Sequence, residues 1–141
     1  MRNSNRPYII EFQRIGDPSL GYISVAENDT MPFDVNRIYW TYFTPEDVQR
    51  GGHAHYKLEQ VLLAVAGKII IKTEMLNGDK EEFILDKPNT GLFIPKMCWR
   101  EMQYTHNAVQ VCIASLAYSE DDYIRNYRTF KKIPSAHEVQ Q

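Results

Sequence analysis

Two of the protein's four histidines stand close together, in a segment that reads Arg-Gly-Gly-His-Ala-His and runs from Arg50 to His55. If this segment is a β-strand, its alternation places the side chains of His53 and His55 on one face, about 7 Å apart, with Ala54 on the other. An imidazole titrates near neutrality, so one ring of such a pair can accept a proton while the other donates one. The spacing therefore predicts acid–base chemistry, with two ordinary surface or core histidines as the alternative.

Arg50 stands three residues before His53, an odd offset that on a regular strand turns its side chain away from both histidines. Gly51 and Gly52 lie between them, and a glycine pair can form a bulge that interrupts the alternation. We therefore expect the Arg50 guanidinium at the mouth of the histidine site, where it can hold two oxygens of an anion. A surface salt bridge to an acidic neighbour such as Glu46 is the alternative.

Other cations and aromatic rings could complete a site for an anionic ligand that carries a flat base. Because the formal net charge is only -2, the protein has no strong overall field, and a local cluster must hold such a ligand. Core or interface positions are the alternative for the rings, and a solvated charge is the alternative for Arg37. The candidates are Arg37, Arg50, Arg100, Tyr39, Trp40, Tyr42 and Trp99.

The histidine spacing continues to a glutamate, as His53-x-His55-x-x-x-Glu59. This resembles the first motif of the cupins, β-barrel proteins that place these three side chains around a metal. The second cupin motif normally adds a third histidine, but here Pro95 is kept and Arg100 stands at the histidine position. A guanidinium does not deprotonate to bind a metal, so the ligand set is incomplete. We predict no metal and no other cofactor, with a metal site built from other residues as the alternative.

Short strands separated by turns make up most of the sequence. Asn77-Gly78 is a strong hairpin signal, and Gly67 predicts a tight connection between two apolar runs. After Ser119, a candidate N-cap, apolar residues follow at helical spacing as far as Phe130. These patterns predict an all-β protein, either a small β-barrel or a jelly roll, with a short C-terminal helix. Besides the histidine segment, the predicted strands are Tyr8–Phe12, Tyr22–Glu27, Arg37–Phe43, Glu59–Ala66, Lys68–Met75, Glu82–Leu85, Leu92–Ile94, Trp99–Tyr104 and Val109–Leu116.

Length and composition bound the class of protein. A chain of 141 residues with 43% hydrophobic and 24% charged residues can bury one core, which excludes a disordered or coiled-coil protein. The near-neutral charge argues against a nucleic-acid partner. No apolar run is long enough for a membrane span, and Met1–Pro7 does not lead into an apolar run as a signal peptide would. We therefore expect a cytoplasmic protein in which Cys98 and Cys112 are free thiols.

Several segments together resemble a narrower family, the nucleotide-sugar 3,4-ketoisomerases of the WxcM-like or FdtA-like cupins. The specific ones are the block from Arg50 to Gln60 and the tail Asp122-Tyr-Ile-Arg-Asn-Tyr127. The resemblance implies a cupin double-stranded β-helix, with residues 1–141 as a single domain, 8–132 as its folded core and 134–141 as a tail. Other matching segments are Met31-Pro-Phe, Arg37-Ile-Tyr39, Pro88 to Pro95, Trp99-Arg-Glu101 and Ala114-Ser.

The same resemblance implies an enzyme that moves the carbonyl of a dTDP-linked 4-keto-6-deoxy sugar, dTDP-4-keto-6-deoxyglucose, from C4 to C3. Such a reaction passes through an enediol(ate) and serves deoxyamino-sugar and surface-polysaccharide biosynthesis. Carried onto this sequence, His53 and His55 are the acid–base pair, and Tyr39 is a hydroxyl at the same cavity. Which histidine acts at carbon stays open. The candidate substrate-binding residues are Arg50, Arg100, Trp99, Arg37 and Glu59.

The family also implies a metal-independent homodimer. The predicted strand Tyr8–Phe12 offers an edge that a partner's sheet could accept, and pairing within its own barrel is the alternative. Relatives often carry an Arg-Gly or Tyr-Arg pair that bears on which face of C4 is protonated. Here Pro18 to Tyr22 reads Pro-Ser-Leu-Gly-Tyr, so a 3-keto-galacto and a 3-keto-gluco product both stay open.

Three other functions are alternatives to a ketoisomerase. A nucleotide-sugar 3,5-epimerase shares the barrel but normally uses one histidine with an Asp and a Tyr, so the second histidine disfavours it. A non-catalytic sugar-binding cupin does not need two titrating groups. A metal-dependent cupin oxygenase would need the ligand that Arg100 replaces.

Overall fold

The computed structural model describes residues 5–135, whose strands form two five-stranded antiparallel sheets and a separate hairpin. The strands are β1 Tyr8–Glu11, β2 Gln13–Asp17, β3 Gly21–Val25, β4 Arg37–Tyr42, β5 Gln49–His55, β6 Gln60–Ala66, β7 Ile69–Met75, β8 Lys80–Leu85, β9 Thr90–Ile94, β10 Cys98–Tyr104, β11 Val109–Ala114 and β12 Tyr123–Ile124, followed by helix α1, Tyr127–Lys132. The first sheet has the order β1-β9-β6-β11-β4, and the second has the order β12-β5-β10-β7-β8. Strands β2 and β3 form the hairpin.

The core lies between the two sheets. Side chains alternate along each strand, and one row from each of β6, β7, β9, β10 and β11 points into the space that the sheets enclose. Leu62 and Leu92 of the first sheet meet Ile69 and Ile71 of the second there, and all four are buried. Two antiparallel sheets packed around such a core form a barrel, which confirms the all-β prediction.

Two predicted glycine turns are confirmed. Asn77-Gly78 joins β7 to β8, and Gly78 has a φ of 92°, in the left-handed region that favours glycine. Gly67 connects β6 to β7, which lie in different sheets. A Cβ at Gly67 would lie 2.5 Å from the Ala108 Cα, so only glycine allows the chain to cross between the sheets here.

The stretch between the predicted strands Tyr8–Phe12 and Tyr22–Glu27 belongs to a hairpin. Strands β2 and β3 pair from Gln13 opposite Val25 to Asp17 opposite Gly21, and neither pairs with the main sheets. The sequence predicted only the second of these strands. Several large apolar side chains of the hairpin face solvent, with Leu20 at its turn 89% exposed.

The predicted helix start at Ser119 is wrong. Ser119 precedes a 3-10 turn, Glu120–Asp122, and its side chain caps nothing. Strand β12 follows and pairs with the end of β5. Helix α1 begins only at Tyr127, where the Asn126 side chain accepts a hydrogen bond from the backbone N–H of Thr129, as an N-cap does. Apolar residues of β12 and α1 pack into one cluster, which produces a helix-like spacing across two elements.

The first strand pairs within its own chain, since Tyr8 of β1 lies opposite Phe93 of β9.

The predicted limits of the domain, residues 8–132 with a tail at 134–141, stay a prediction. Residues 1–4 of the predicted N-terminal segment and 136–141 of the predicted tail lie outside the described residues. Between residues 5 and 135, no helix has both the length and the apolar character that crossing a membrane requires.

Candidate active site

A bulge in β5 determines which of its side chains face the barrel interior. His53 pairs with Arg100 of β10, but the next pair joins Gly51 to Glu101, so Gly52 is left without a partner residue. Gly51 and Gly52 have φ values of 82° and 71°, which favour glycine. The bulge predicted from the glycine pair is therefore confirmed.

Arg50 consequently lies on the same face as the histidines. It stands opposite Met102, two residues from Arg100 along β10, and opposed residues of an antiparallel pair share a face. Its side chain is exposed, and no ion pair within residues 5–135 includes it. Its charge nevertheless lowers the pKa of His53 and opposes the burial that raises the pKa of Tyr104 to about 12. Arg50 is thus at the mouth of the site.

The two histidines form one aromatic cluster with Tyr123. The rings of His53 and His55 lie edge to face, with their centroids 4.9 Å apart. Strand β12 places Tyr123 opposite His55, and its ring centroid lies 5.1 Å from that of His53 and 4.4 Å from that of His55. The shared face predicted from the spacing is correct, but the sequence did not assign Tyr123 to it.

Both histidines are neutral at physiological pH. Burial lowers the pKa of His53 to about 3 and that of His55 to about 2, and the charge of Arg100 lowers both further. A neutral imidazole carries one N–H donor and one lone pair. Neither ring nitrogen of His55 has a partner with hydrogen-bond geometry among the described residues, so the ring keeps its capacity to bond a ligand or to move a proton.

Arg100 is a fully buried cation without a carboxylate partner in the part of the chain that the structure describes. Its Nε donates to the Cys98 carbonyl at 3.1 Å, and its Nη1 donates to Gln60 Oε1 at 2.6 Å. Its Nη2 has no partner among the described residues, and burial lowers the pKa of the guanidinium. A buried charge that the chain leaves unpaired is costly, which indicates a site for an anionic group.

Gln60 links Arg100 to Tyr39. Its Nε2 donates to the Tyr39 hydroxyl at 3.1 Å while its Oε1 accepts from Arg100. Burial raises the pKa of Tyr39 above its ordinary value, so the phenol stays protonated and can donate a hydrogen bond. The predicted substrate contact is the neighbouring Glu59, but Gln60 is the residue that bonds to Arg100. Alternation from the next inward residue of β6, Leu62, would have indicated Gln60.

Two stacked arginines border the site. The Arg37 guanidinium lies 4.5 Å from the ring centroid of Tyr39 and 5.4 Å from that of Tyr118. Arg125 lies 4.0 Å above the Tyr123 ring and is held by two hydrogen bonds to the Glu120 carboxylate. The sequence did not single out Arg125 or Tyr118, although Arg125 belongs to the family-like tail.

Two predicted substrate contacts lie away from the histidine pair. Trp99 neighbours Arg100 on β10 but faces the opposite side, where it is buried against Tyr127 and Phe130 of α1. Its indole N–H donates to the Glu101 carboxylate at 3.2 Å. The backbone of Glu59 exchanges hydrogen bonds with Ser115, and Lys96 is the cation near enough to affect its pKa.

Arg100, which the sequence resemblance puts at the position of the third cupin histidine, lies directly opposite His53. Residues 5–135 contain no cluster of three His, Cys, Asp or Glu side chains that could hold one.

Two cavities lie elsewhere on the barrel. One of about 460 Å³ borders the outer face of the second sheet near Trp99, and one of about 670 Å³ lies between the hairpin and the first sheet. Neither is lined by His53 or His55.

The chain matches a known protein family along most of its length. The family described as FdtA (WxcM-like, C-terminal) matches residues 5–135. The chain belongs to the FdtA family. It is 37% identical over 125 residues to the TDP-4-oxo-6-deoxy-alpha-D-glucose-3,4-oxoisomerase of Aneurinibacillus thermoaerophilus, an alignment that covers 88% of this chain and 89% of that protein.

Solved structures of FdtA-like enzymes superpose closely on this chain. A 3,4-ketoisomerase from Helicobacter canadensis has a TM-score of 0.84 and 38% identity, covering 89% of this chain and 95% of its own. A histidine-to-asparagine variant of the 3,4-ketoisomerase QdtA from Thermoanaerobacterium thermosaccharolyticum, in complex with TDP-4-keto-6-deoxyglucose, has a TM-score of 0.84 and 34% identity, covering 89% of this chain and 91% of its own. These likenesses confirm the fold class and the family resemblance.

Proposed function

We propose that the protein converts TDP-4-keto-6-deoxyglucose into its 3-keto isomer. One observation carries this function: two neutral histidines, His55 buried and His53 half-buried, lie beside a buried arginine that lacks an anionic partner in the described chain. Membership of the FdtA family, in which a relative is named for this reaction, supports the choice of substrate. We further propose a cytoplasmic enzyme of deoxyamino-sugar and surface-polysaccharide biosynthesis.

The reaction removes two protons, from C3 and O3, and adds two, at C4 and O4, so it needs no external oxidant. The 4-keto group acidifies the C3 proton, and a neutral histidine removes it while the C4=O electron pair moves to O4, giving an enediolate with a C3=C4 double bond. Reprotonation at C4, loss of the O3 proton and protonation of O4 then leave the carbonyl at C3. We assign these transfers to His53 and His55, because each neutral ring can accept a proton at one nitrogen and return it.

Arg100 is suited to the charge that forms on the enediolate oxygen. Its unpartnered Nη2 offers a donor in a buried site, where a cation stabilises a developing anion more than it would in water. The protonated Tyr39 hydroxyl, connected to Arg100 through Gln60, is a second donor on the same network.

The nucleotide needs anion contacts away from the reacting carbons. The candidates for these contacts are Arg50, on the face that carries the histidines, Arg37, beside Tyr39, and Arg125, above the Tyr123 ring. We propose that they hold the pyrophosphate. The substrate contacts predicted for Trp99 and Glu59 stay predictions, and neither residue has a described contact with the histidines.

NMR analysis of products tests the function. Incubation with TDP-4-keto-6-deoxyglucose in deuterium oxide with a chelator should give the 3-keto isomer, with deuterium at C4. Recovery of unchanged substrate would overturn the function, and activity that returned only with a divalent metal would favour a metal-dependent enzyme. Deuterium at C3 and C5 of a 4-keto product would identify a 3,5-epimerase, and binding without turnover would identify a sugar-binding cupin.

We also propose that the protein is a homodimer built on the outer face of the first sheet. Ile38, Trp40 and Tyr42 project outward from the edge strand β4, and each is more than half exposed. The hairpin carries its own exposed apolar side chains, including Leu20 and Ile23. A two-fold arrangement could bury both patches at once, because each copy supplies both surfaces.

Light scattering tests the dimer. We expect a mass near twice 16.5 kDa at micromolar concentration. Trp40→Glu should shift the mass to that of a monomer, whereas Ile84→Glu, at a comparably exposed position on the second sheet, should leave it unchanged. A monomeric wild-type protein would refute the proposal.

A further inference from the structure

Asp122 brings a carboxylate to the ring of His55. It lies at the end of the 3-10 turn that precedes β12, and its Oδ2 is 3.3 Å from His55 Nδ1. The two side chains are only 12% and 1% exposed, so water does not compete strongly for this contact. No other carboxylate within residues 5–135 forms an ion-pair contact with either histidine of the pair.

The carboxylate is itself held in place by the turn that follows β5. Asp122 Oδ1 accepts a hydrogen bond from the Lys57 backbone N–H at 2.9 Å, and Oδ2 accepts one from Leu58 at 3.1 Å. The Asp122 carbonyl also accepts from the Tyr56 N–H at 3.1 Å. A carboxylate fixed by backbone donors is a rigid acceptor, and its oxygens cannot move far from the ring.

We propose that Asp122 is a positioning residue that keeps the proton of the neutral His55 on Nδ1 and leaves the lone pair on Nε2. A carboxylate can accept but cannot donate, so the nitrogen that faces it must carry the hydrogen. Nε2 then becomes the atom of His55 that takes up or returns a proton. The contact falls short of hydrogen-bond geometry, and neither nitrogen has another partner among the described residues, so the carboxylate is the group that decides the tautomer.

His53 provides an internal comparison, because a backbone group of Gly51 rather than a carboxylate contacts its ring. Removing the Asp122 charge should therefore change the tautomer of His55 and leave that of His53 as it is. The assignment of a catalytic role to His55 rests on the proposed function, but the tautomer itself does not.

Nitrogen-15 NMR of the histidine-labelled protein tests the inference. We expect the wild-type His55 signals, assigned by their loss in His55→Asn, to show a protonated Nδ1 and a bare Nε2. Asp122→Asn should move them toward the Nε2-protonated form and lower kcat by roughly 10–100-fold, with KM changed less than about threefold. Asp121→Asn, an exposed carboxylate of the same turn, should change neither.

The outcomes distinguish the positioning role of Asp122 from the proposed function of the protein. A wild-type His55 protonated at Nε2, or an Asp122→Asn protein with an unchanged His55 tautomer, would overturn the positioning role even if the thermal midpoint fell. That result would mean that Asp122 only anchors the backbone of Lys57 and Leu58. If the tautomer changes as expected but the wild-type protein makes no 3-keto product, the positioning role stands and the proposed function falls.

Discussion

The two faces of the second sheet differ in whether a buried charge has bonding partners. On the outer face, Glu74 is 6% exposed and both of its oxygens are bonded, one to the Tyr127 hydroxyl at 2.7 Å and the other to Lys131 Nζ at 2.6 Å. On the inner face, Arg100 is 0% exposed, with no ion pair and one donor unpartnered among the described residues. The strands that carry them, β7 and β10, are direct neighbours.

This difference separates a structural charge from a functional one. Glu74 ties α1 to the sheet, and the chain supplies everything that its charge needs. Arg100 and His55 keep unsatisfied polar atoms in a buried place, which costs stability and is expected where a ligand completes the bonding. Substitutions on the inner face should therefore affect turnover more than stability, and those on the outer face should do the reverse.

The largest effect is expected for the histidines. His53→Asn and His55→Asn should each lower kcat by about 10²–10⁴-fold, since each removes a positioned acid–base group, while KM changes little. Steady-state kinetics with product NMR measures this. His106→Asn, at an exposed histidine outside the pair, is the matched control. Near-normal turnover in both pair variants would mean that the inner face does not carry the acid–base groups.

Arg100→Met should have the next largest effect. Loss of the buried cation should lower kcat by around 10²–10³-fold, as for other removed oxyanion donors. The free energy of unfolding should change by less than about 2 kcal/mol, because the variant loses the bonds to Gln60 and Cys98 but no longer buries an unpaired charge. Urea denaturation and kinetics on the same preparation check both numbers.

Glu74→Gln is the counterpart of Arg100→Met on the outer face. It removes the ion pair with the partly exposed Lys131, so we expect a destabilisation of about 1 kcal/mol with unchanged kcat. If Glu74→Gln impaired turnover as strongly as Arg100→Met, the contrast between the two faces would not hold.

At the mouth, an effect on catalysis smaller than that of Arg100→Met is expected. Arg50→Lys should raise KM for the nucleotide sugar about tenfold, equivalent to about 1.4 kcal/mol, because an ammonium cannot make the bidentate contact of a guanidinium. The fold should stay intact, since the bulge depends on Gly51 and Gly52 rather than on Arg50. Arg14→Lys, on the hairpin, serves as the control. An unchanged KM would leave Arg50 as a surface charge and move the anion site to Arg37 or Arg100.

The last prediction concerns the pH dependence of stability. An unfolded histidine has a pKa of about 6.5, whereas the folded values are about 3 for His53 and about 2 for His55. Below about pH 6.5 the unfolded chain therefore binds protons that the folded chain does not, and stability should fall by up to about 1.4 kcal/mol per pH unit for each residue. Urea midpoints at pH 7.5 and 5.5 measure this decline. His55→Asn should make it shallower, and an unaltered slope would mean that His55 is not buried in its neutral form.

The sequence predicted the local part of the site well. The shared face of His53 and His55 follows from the two-residue period of a strand, and the bulge at Gly51 and Gly52 follows from their tolerance of positive φ. Both depend only on neighbouring residues. The same local reasoning failed at Ser119, because apolar residues of β12 and α1 that bury against one cluster imitate the period of a longer helix.

What the sequence determined by itself was the strand periodicity, the glycine turns and bulge, and the family to which the motifs point. Only the tertiary structure decided that Trp99 faces α1, that Gln60 rather than Glu59 bonds to Arg100, and that Asp122 reaches the turn after β5 from more than 60 residues along the chain. Local spacing fixes which side of a strand a residue takes. Whether a buried charge has a bonding partner depends on every element packed around it. The partners of Arg100 are therefore decided only when both sheets have packed together.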